Sequence, residues 1–353
     1  MNDFHSLEQK LATNLTWHGA RIKFLARFLT ALSTTRTVNL AEIASVFAGR
    51  AQPDSHYECC RRFLKDFALP YAEIAQFIVA LLGVTSGWTL AVDRTNWKFG
   101  KTDLNLLVLA IVHQGTAYPV LWFPLGKAGN SNTDERILLL ELFLSLFAKE
   151  QVATLVADRE FVGKTWLEWL KKNEFPFQIR VKASFQVTYR GRRGALHEWF
   201  RTATLRRPLV LKRPAQMWGE SYYFSGCRLP TGEYLLLVSP TYEPQALAQY
   251  AQRWGIETLF AALKTRGFNL EDTHVTKEDR LQKLFALLAL AFAWCHQVGG
   301  WLHAQQPLKK KKHGRLPQSL FRRGLDCLRR LFTQGTHRKL LLWQQVLALL
   351  PAP

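Results

Sequence analysis

Residues 86–181 contain a succession of short apolar runs, and their order limits the folds open to the chain. Three β-rich runs come first, and the "QGT" turn between the last two is typical of an antiparallel meander: "WTLAVDRTNW", "LNLLVLAIVHQ" and "AYPVLWFPLG". Helix and strand patterns then alternate through "NTDERILLLELFLSLFAKE", "VATLVAD", "GKTWLEWLKKN" and "FPFQIRVKA". Antiparallel strands followed by alternating helices and strands predict one mixed α/β sheet.

Two aspartates, Asp93 and Asp158, each close an apolar run of this sheet, where open sheets place their chemistry. With Glu257 on a later helix they make three carboxylates, the oxygen ligands that hard divalent cations prefer. Magnesium takes one or two carboxylates per ion, and two ions about 4 Å apart can promote phosphodiester transfer. Aspartates after strands also cap helices, and Asp158 before "REFVGK" is placed to do so.

The stretch "YAQRWGIETLFAALKTRG", residues 250–267, has the apolar spacing of one helix that ends at a glycine. Relative to Tyr250, the residues Arg253, Glu257 and Lys264 stand at offsets of 3, 7 and 14. On an ideal helix these positions fall within an arc of about 60°. A carboxylate with two cations and a phenol beside a buried face is either a row of structural salt bridges or one wall of a site for metal and phosphate.

The charge of the chain is strongly positive, with 47 Lys+Arg against 27 Asp+Glu, a net charge of +20. Such an excess favours a polyanionic partner, nucleic acid first and an anionic membrane surface second, over a role in solubility alone. The N-terminus lacks the pattern of a secretory signal, and the five cysteines show no pairing typical of disulfides or zinc sites. These features predict a cytoplasmic protein.

Residues 1–85 read as helices, and two short ones separated by a turn containing Gly49 resemble a helix-turn-helix. Its second helix carries Arg61, Arg62 and Lys65 as candidate DNA-binding residues. A plain helical bundle is the alternative.

Residues 182–238 interrupt the alternation with short β runs rich in Arg, Gly and Pro, and they predict a β insertion with a basic face. Residues 276–353 read as helical. They include the basic run "KKKKHGR" (309–315), which is either a solvated loop or a contact to the DNA backbone. The apolar run 284–295 is too short to span a bilayer and predicts a buried helix.

Three motifs together carry a family resemblance. The spacing from Tyr250 through Arg253 and Glu257 to Lys264 resembles the Y–R–E–K signature of the family-four transposases of bacterial insertion sequences. "VDRTNWKFG" around Asp93 and "VADREFVGK" resemble that family's two aspartate motifs. The resemblance implies a cut-and-paste enzyme of the DDE class with a ribonuclease-H-like core.

The resemblance also implies a division of the chain and roles for its residues. Helical domains at 1–85 and 276–353 would flank a catalytic core, 86–181 and 239–275, that is interrupted by the β insertion 182–238. Asp93 would be shared between two Mg²⁺ ions, for which Mn²⁺ can substitute, with Asp158 and Glu257 completing the two sites. Arg253 and Lys264 would hold phosphates of the transposon end, and Tyr250 would contact the backbone near the cut.

A sequence of reactions follows from the same resemblance. Water nicks the DNA, the freed 3′-OH attacks the opposite strand to form a hairpin, and the reopened end is inserted into target DNA. A flipped base near the hairpin needs an aromatic platform, for which Trp218 is the first candidate and Trp199 the second, although a tryptophan there is also a usual core residue.

The partners implied are the terminal inverted repeats of the transposon, the target DNA and a second copy of the chain. No membrane partner is expected. The apolar face of residues 336–350 is the candidate dimer contact. A nucleoid-associated bacterial protein is implied. Two other classes stay open: a ribonuclease-H-fold structure-specific nuclease or resolvase, and a domesticated relative that binds DNA without cutting it.

Overall fold

The computed structural model describes residues 3–47, 49, 51–312, 314, 316–333 and 340–351. Within these ranges the N-terminal part is helical: α1 (Asp3–Ala12), α2 (Gly19–Thr35), α3 (Leu40–Ser45), α4 (Pro53–Asp66) and α5 (Tyr71–Leu82). Phe24 of α2 stacks on Phe63 of α4 with ring centroids 4.0 Å apart, which places α4 against the helical core. Helices α3 and α4 lie in the two stretches for which the sequence predicts helices separated by a turn.

The central sheet begins with three strands that pair antiparallel: β1 (Trp88–Phe99), β2 (Thr102–His113) and β3 (Thr116–Pro124). Helices α6 (Thr133–Leu146) and α7 (Lys164–Lys172) alternate with β4 (Val152–Ala157) and β5 (Phe177–Val181). Strand β4 pairs parallel with β1, and β5 pairs parallel with β4. The resulting order, β3-β2-β1-β4-β5, confirms the predicted mixed α/β sheet of a ribonuclease-H-like core.

The predicted "QGT" turn joins β2 to β3. Gln114 and Gly115 both have positive φ angles, 49° and 76°, as expected of a tight hairpin turn between twisted strands. Strand β2 lies between β1 and β3, and every residue from Leu104 to Val112 is buried. A strand that is buried on both faces needs a nearly continuous apolar run. A strand with one exposed face would instead alternate apolar and polar residues.

The segment 182–238 is rich in strands, as predicted: β6 (Gln186–Tyr189), β7 (Arg192–Ala195), β8 (Leu209–Val210), β9 (Ala215–Met217), β10 (Glu220–Arg228) and β11 (Tyr234–Ser239). Strand β11 pairs with β5, so the last residues of the predicted insertion extend the central sheet. The physical reason is apolar burial, because Leu236, Leu237 and Val238 are fully buried in that position.

The stretch 250–267 is not the single helix that its spacing predicts. Helix α8 (Ala246–Ala251) ends before a tight turn, and α9 (Trp254–Leu263) begins after it. Gly255 at this turn packs on the β2–β3 hairpin so closely that a Cβ would lie 3.0 Å from the Ala117 nitrogen. This close approach to the sheet, which a larger residue would crowd, accompanies the break.

Helix α10 (Glu278–Gln305) runs through the C-terminal part and includes the apolar run 284–295, all of which is buried as predicted. The helix is longer than that run. Its length and composition would suit a membrane span, but 83% of its most apolar window is buried inside the protein. Helix α11 (Leu320–Thr333) crosses it at Gly324, where a Cβ would lie 1.7 Å from the Cys295 carbonyl oxygen. Such burial is the behaviour of a core helix.

Helix α12 (Leu340–Ala348) folds back onto α1 and α10. Trp343 is buried and donates a hydrogen bond from Nε1 to Ser6 Oγ at 2.9 Å, and Trp294 Nε1 donates to the Val346 carbonyl at 3.4 Å. The same chain thus covers part of the apolar face proposed for dimerisation, while Leu340 and Leu341 at the start of α12 are 55% and 69% exposed. Residues 336–339 of that segment, and 313 and 315 of the basic run, lie outside the described residues.

Candidate active site

Asp93 and Asp158 come together through the register of two parallel strands. The last paired residues of β1 and β4 are Val92 and Ala157, and each aspartate is the next residue along its chain. Asp93 does not end its strand as predicted, because β1 continues to Phe99 by pairing with β2. The two aspartates therefore mark the point where β1 and β4 separate.

Each aspartate is oriented by the backbone amide that follows it. Asp93 Oδ1 accepts a hydrogen bond from the Arg94 N–H at 2.8 Å. Asp158 Oδ1 accepts one from the Arg159 N–H at 2.7 Å and caps the 3₁₀ turn Arg159–Phe161. The capping role left open for Asp158 is thus present, in a 3₁₀ turn. A carboxylate offers about four lone-pair sites, so capping does not use up its capacity to bind a cation.

Arg253 occupies the centre of the carboxylate group. Its Nη1 lies 3.0 Å from Asp93 Oδ2 and 3.2 Å from Glu257 Oε1. The side chain of Arg253 is only 10% exposed, whereas that of Glu257 is 45% exposed. One cationic group therefore contacts two of the three predicted metal ligands, and it does so from the turn between α8 and α9.

The Asp93 carboxyl has a raised pKa. Burial raises its pKa to about 7, a shift that the Arg94 N–H and the Arg253 guanidinium oppose and that Glu257 and Glu160 reinforce. Desolvation disfavours the ionised form of a buried acid, and a nearby cation restores it. The position therefore favours either a proton or a positive charge beside Asp93.

Tyr250, on α8, approaches the other aspartate. Its hydroxyl lies 3.5 Å from Asp158 Oδ1, at the limit of a hydrogen bond. Burial raises the pKa of Tyr250 to about 12, so the phenol keeps its proton near neutral pH. Arg180 of β5, which no sequence pattern singles out, places Nη1 3.7 Å from the same Asp158 oxygen.

Lys264 follows the end of α9 and binds back to β1. Its Nζ donates to the Asn96 carbonyl at 2.9 Å, lies 2.9 Å from Glu271 Oε1, and is 5.6 Å from the centre of the Trp97 ring. Tyr250, Arg253, Glu257 and Lys264 thus do not form one line along one helix. The first three lie near the two aspartates, and Lys264 lies further along β1, beside Asn96 and Trp97.

A polar network joins the two aspartate motifs. Arg94 Nε and Nη2 donate to the two carboxylate oxygens of Glu160 at 2.8 and 3.0 Å, and Arg94 Nη1 donates to the Gly129 carbonyl at 2.8 Å. Arg136 Nη2 also donates to the Glu160 carbonyl at 3.0 Å. The sequence contains a signal for this pair, since Arg94 and Glu160 lie within two residues of Asp93 and Asp158.

The remaining candidates lie on other elements. Arg61, Arg62 and Lys65 are exposed on α4, and Arg61 pairs with Glu58 at 2.6 Å. Trp218, 39% exposed, sits in the turn between β9 and β10 with a φ of 58° and contacts Phe185 edge to face at 5.4 Å. Both rings line a cavity of about 530 Å³, together with Ser184, Gln186, Thr188, Arg193, Gln216 and Gly219.

The carboxylates suit a hard divalent cation by their chemistry. Across the part of the chain that the structure describes, no three His, Cys, Asp or Glu side chains are close enough to share one ion. Magnesium needs only one or two carboxylates and completes its shell with water and phosphate oxygens. The position of the Arg253 guanidinium shows that Asp93 and Glu257 can face one positive charge together.

Comparison with known families assigns the chain. The family described as Transposase DDE domain matches residues 85–294, which is more than half of the chain and includes all three carboxylates. The protein belongs to this family. It is therefore a DNA transposase of the DDE class, an enzyme that cleaves and joins DNA with divalent metal ions.

Among solved structures, the chain is similar to a piggyBac transposase in a cryo-EM synaptic complex with hairpin DNA. The TM-score is 0.48 with 13% sequence identity, over 98% of this chain and 81% of that one. No curated protein matches the chain in sequence.

Proposed function

We propose that this transposase belongs to family four and cuts the ends of its element with Asp93, Asp158 and Glu257 as the ligands of two Mg²⁺ ions, for which Mn²⁺ can substitute. The observation that supports this most is the pairing of Val92 with Ala157, which brings the two aspartates to one point, with Glu257 joined to it through Arg253. The bound ions would activate the attacking oxygen and stabilise the leaving one.

The neighbouring side chains position the DNA in this proposal. Tyr250 keeps its proton and can donate a hydrogen bond to a phosphate oxygen near the cut, since burial raises the pKa of its phenol. Arg253 holds a phosphate of the cleaved end and exchanges its contacts with Asp93 and Glu257 for that phosphate when the DNA binds. Lys264 contacts the backbone further along β1. Phosphate contacts of this kind position a duplex without reading its sequence.

We assign the cavity beside Trp218 to a base flipped out of the duplex during hairpin formation. Trp218 offers a partly exposed ring, Phe185 braces it, and Arg193, Gln186 and Gln216 supply donors and acceptors for a base edge or a phosphate. Trp218 and Gly219 form the two-residue turn between β9 and β10, and both have the positive φ angles of such a turn, 58° and 90°. The turn leaves the Trp218 ring partly exposed beside the cavity, and this exposure supports a binding role over a packing role.

Helix α4 is proposed to read the terminal inverted repeat through Arg61, Arg62 and Lys65, all of which are exposed. A homodimer would hold two element ends and insert them into target DNA at the bacterial nucleoid. Support for the dimer comes from the family resemblance, because Trp343 and Val346 of α12 already pack within the chain. The division into helical N-terminal, catalytic, insertion and C-terminal parts belongs to the same proposal.

The reaction products test the proposal. The purified protein is incubated with linear DNA that carries the flanking repeats of its gene, with a labelled strand, a target plasmid and Mg²⁺. Nicks at the repeat, hairpin ends and joined target products are expected together. Cleavage without joining would identify a nuclease or resolvase, and binding without cleavage a domesticated relative. Glu150→Gln, an exposed carboxylate on the 3₁₀ turn before β4, is the matched control for variants of the carboxylates.

A further inference from the structure

A second basic site lies where the N-terminal helices meet the segment that leads into α10. A cavity of about 360 Å³ opens between α3, α4 and residues 274–280. Its lining side chains include Tyr57, Arg61, His274, Lys277 and Arg280. No aspartate or glutamate belongs to the described residues that line it. The cavity therefore presents positive charge and hydrogen-bond donors without a carboxylate in its wall.

Arg280 is the least satisfied donor of this cavity. Its Nε is buried and has no hydrogen-bond partner among the described residues. Buried donors without an acceptor are rare in native structures, and each one requires an explanation. Because Arg280 also lines the cavity, a shift of its guanidinium into that space would bring this donor to a bound anion. Arg61 already pairs with Glu58 at 2.6 Å, so Arg280 and Lys277 are the cationic side chains left to bind an anion in the cavity.

The beginning of α10 adds to this positive environment. Lys277 is the N-cap residue and makes no side-chain capping bond, so the first backbone N–H groups of this 28-residue helix are not capped. The N-terminus of a helix favours anions through these groups and the helix dipole. The acidic side chains of the first turn lie away from the cavity. Glu278 is next to Gly126, and Asp279 lies near enough to Tyr71 to contribute to its raised pKa.

The cavity lies between helix α4 and strand β1, and contacts on both sides hold it there. On one side, Lys283 of α10 donates from Nζ to the Lys65 carbonyl at 3.2 Å, which holds the end of α4. On the other side, the His274 ring packs on Phe99 at the end of β1, with centroids 4.9 Å apart. Strand β1 carries Asp93, so a series of contacts connects α4, the cavity and the candidate active site.

We propose that this cavity, which we call the junction pocket, binds one backbone phosphate of the DNA between the bases contacted by α4 and the end that is cut. The inference rests on the proposed function, because it assumes that α4 and the carboxylates act on one duplex. The Arg280 guanidinium, Lys277 Nζ and the N–H groups at the start of α10 would donate to the phosphate oxygens. A phosphate held here sets the number of base pairs between recognition and cleavage.

The binding test uses a random-sequence duplex without divalent metal, so that it does not depend on cleavage. For Lys277→Gln/Arg280→Gln, the slope of log K against log salt concentration should fall in magnitude by about two units relative to wild type. Lys10→Gln, which removes a charge between α1 and α12, is the control and should keep the wild-type slope. If the double variant also keeps that slope, the junction pocket does not bind DNA.

Two further measurements keep the result interpretable. Lys277 is exposed, so Lys277→Gln alone should fold and lower the slope by about one unit even if the double variant unfolds. Inorganic phosphate at constant ionic strength distinguishes a free anion from DNA. Thermal stabilisation of wild type but not of the double variant by phosphate, with equal duplex binding by both, would show a free-phosphate site and overturn the proposal.

The spacing role is read from the position of the cuts on element-end DNA with Mg²⁺. Wild type should cut at one phosphodiester, and the double variant should cut at several neighbouring ones. A single unchanged cut position in the double variant would contradict the spacing role while the proposed function stands. If wild type does not cut at all, the proposed function fails, and the salt dependence still decides whether the junction pocket binds DNA.

Discussion

Arg253 Nη1 lies 3.0 Å from Asp93 Oδ2, so the arginine of the Y–R–E–K spacing contacts the first aspartate directly. The same nitrogen lies 3.2 Å from Glu257 Oε1. The resemblance assigns this arginine to phosphate, and the structure shows it between two carboxylates. The two observations agree if the guanidinium leaves the carboxylates when the metal and the DNA end bind.

Arg253→Gln should therefore destabilise the metal-free protein by about 1–3 kcal/mol, because the carboxylates of Asp93 and Glu257 would face each other without a cation. Added Mg²⁺ should raise the melting temperature of this variant more than that of wild type, since the ion replaces the lost charge. Lys264→Gln is the control, as Lys264 bonds to Asn96 and Glu271 instead. Equal Mg²⁺ shifts in all three proteins would contradict the competition between Arg253 and the ion.

The Arg94–Glu160 pair should act on the reaction through the aspartates beside it. Arg94→Lys keeps the charge but loses the two-pronged geometry that matches the Glu160 carboxylate. We expect the cleavage rate to fall by about 10–100-fold at low Mg²⁺, with partial recovery at high Mg²⁺. Nicking measured across a Mg²⁺ titration tests this, with Glu150→Gln as control. An unchanged Mg²⁺ dependence would show that the Arg94–Glu160 pair does not influence metal binding.

His296 should make the protein sensitive to acid. It is buried in α10, its Nδ1 is 2.5 Å from the Tyr118 hydroxyl and its Nε2 is 3.0 Å from Thr116 Oγ1. Burial lowers its pKa from 6.5 to about 4, with a smaller contribution from His113. Between these values the unfolded chain binds a proton that the folded chain does not, so stability is complete above pH 6.5 and falls as the pH drops towards 4.

The loss attributable to His296 should be roughly 3 kcal/mol across that interval. Denaturant unfolding at pH 7, 5.5 and 4.5 measures it. His296→Gln should be less stable than wild type at pH 7 but lose less stability on acidification, whereas exposed His5→Gln should follow wild type. Parallel pH profiles for His296→Gln and wild type would show that this histidine does not titrate as described.

Trp218→Ala should spare the first nick and slow the formation or opening of the hairpin, because stacking of a base on an aromatic ring contributes about 1–3 kcal/mol. Trp199→Ala is the comparison, since Trp199 is also in the insertion and packs near Tyr189 and Arg192. Time courses of nicks and hairpins on element-end DNA separate the steps. Wild-type rates at every step would make Trp218 a packing residue.

The strands and the aspartates could be predicted from sequence because apolar periodicity and chain order determine them locally. Asp93 and Asp158 follow apolar runs that predict two strands of one sheet, and the structure adds that these strands are neighbours, since Val92 pairs with Ala157. The break before Gly255 could not be predicted, because it depends on contact with the distant β2–β3 hairpin.

The electrostatics of the site depend on the tertiary structure in the same way. Arg253 reaches Asp93 only because α8 and α9 dock on the sheet, and those residues are 160 positions apart in the chain. The burial of α12 against α1 joins the two ends of the described chain, which the apolar pattern of residues 336–350 could not reveal. Periodicity reports that a face is buried, but not which partner covers it.

The central claim is that Glu257, Asp93 and Asp158 perform the chemistry and do not merely hold the fold together. Glu257→Gln preserves size and hydrogen bonding and removes the charge that a metal ion requires. Because the Glu257 side chain is 45% exposed, its replacement should change the melting temperature little.

The decisive measurement is nicking of element-end DNA by Glu257→Gln, with end binding and melting temperature recorded on the same preparations and with Asp93→Asn, Asp158→Asn and Glu150→Gln alongside. We predict that Glu257→Gln binds the end at least as well as wild type, while its nicking falls by orders of magnitude, as it does in the two aspartate variants but not in Glu150→Gln. Residual nicking in Glu257→Gln together with a lowered melting temperature would contradict the account and identify Glu257 as part of a structural salt-bridge row.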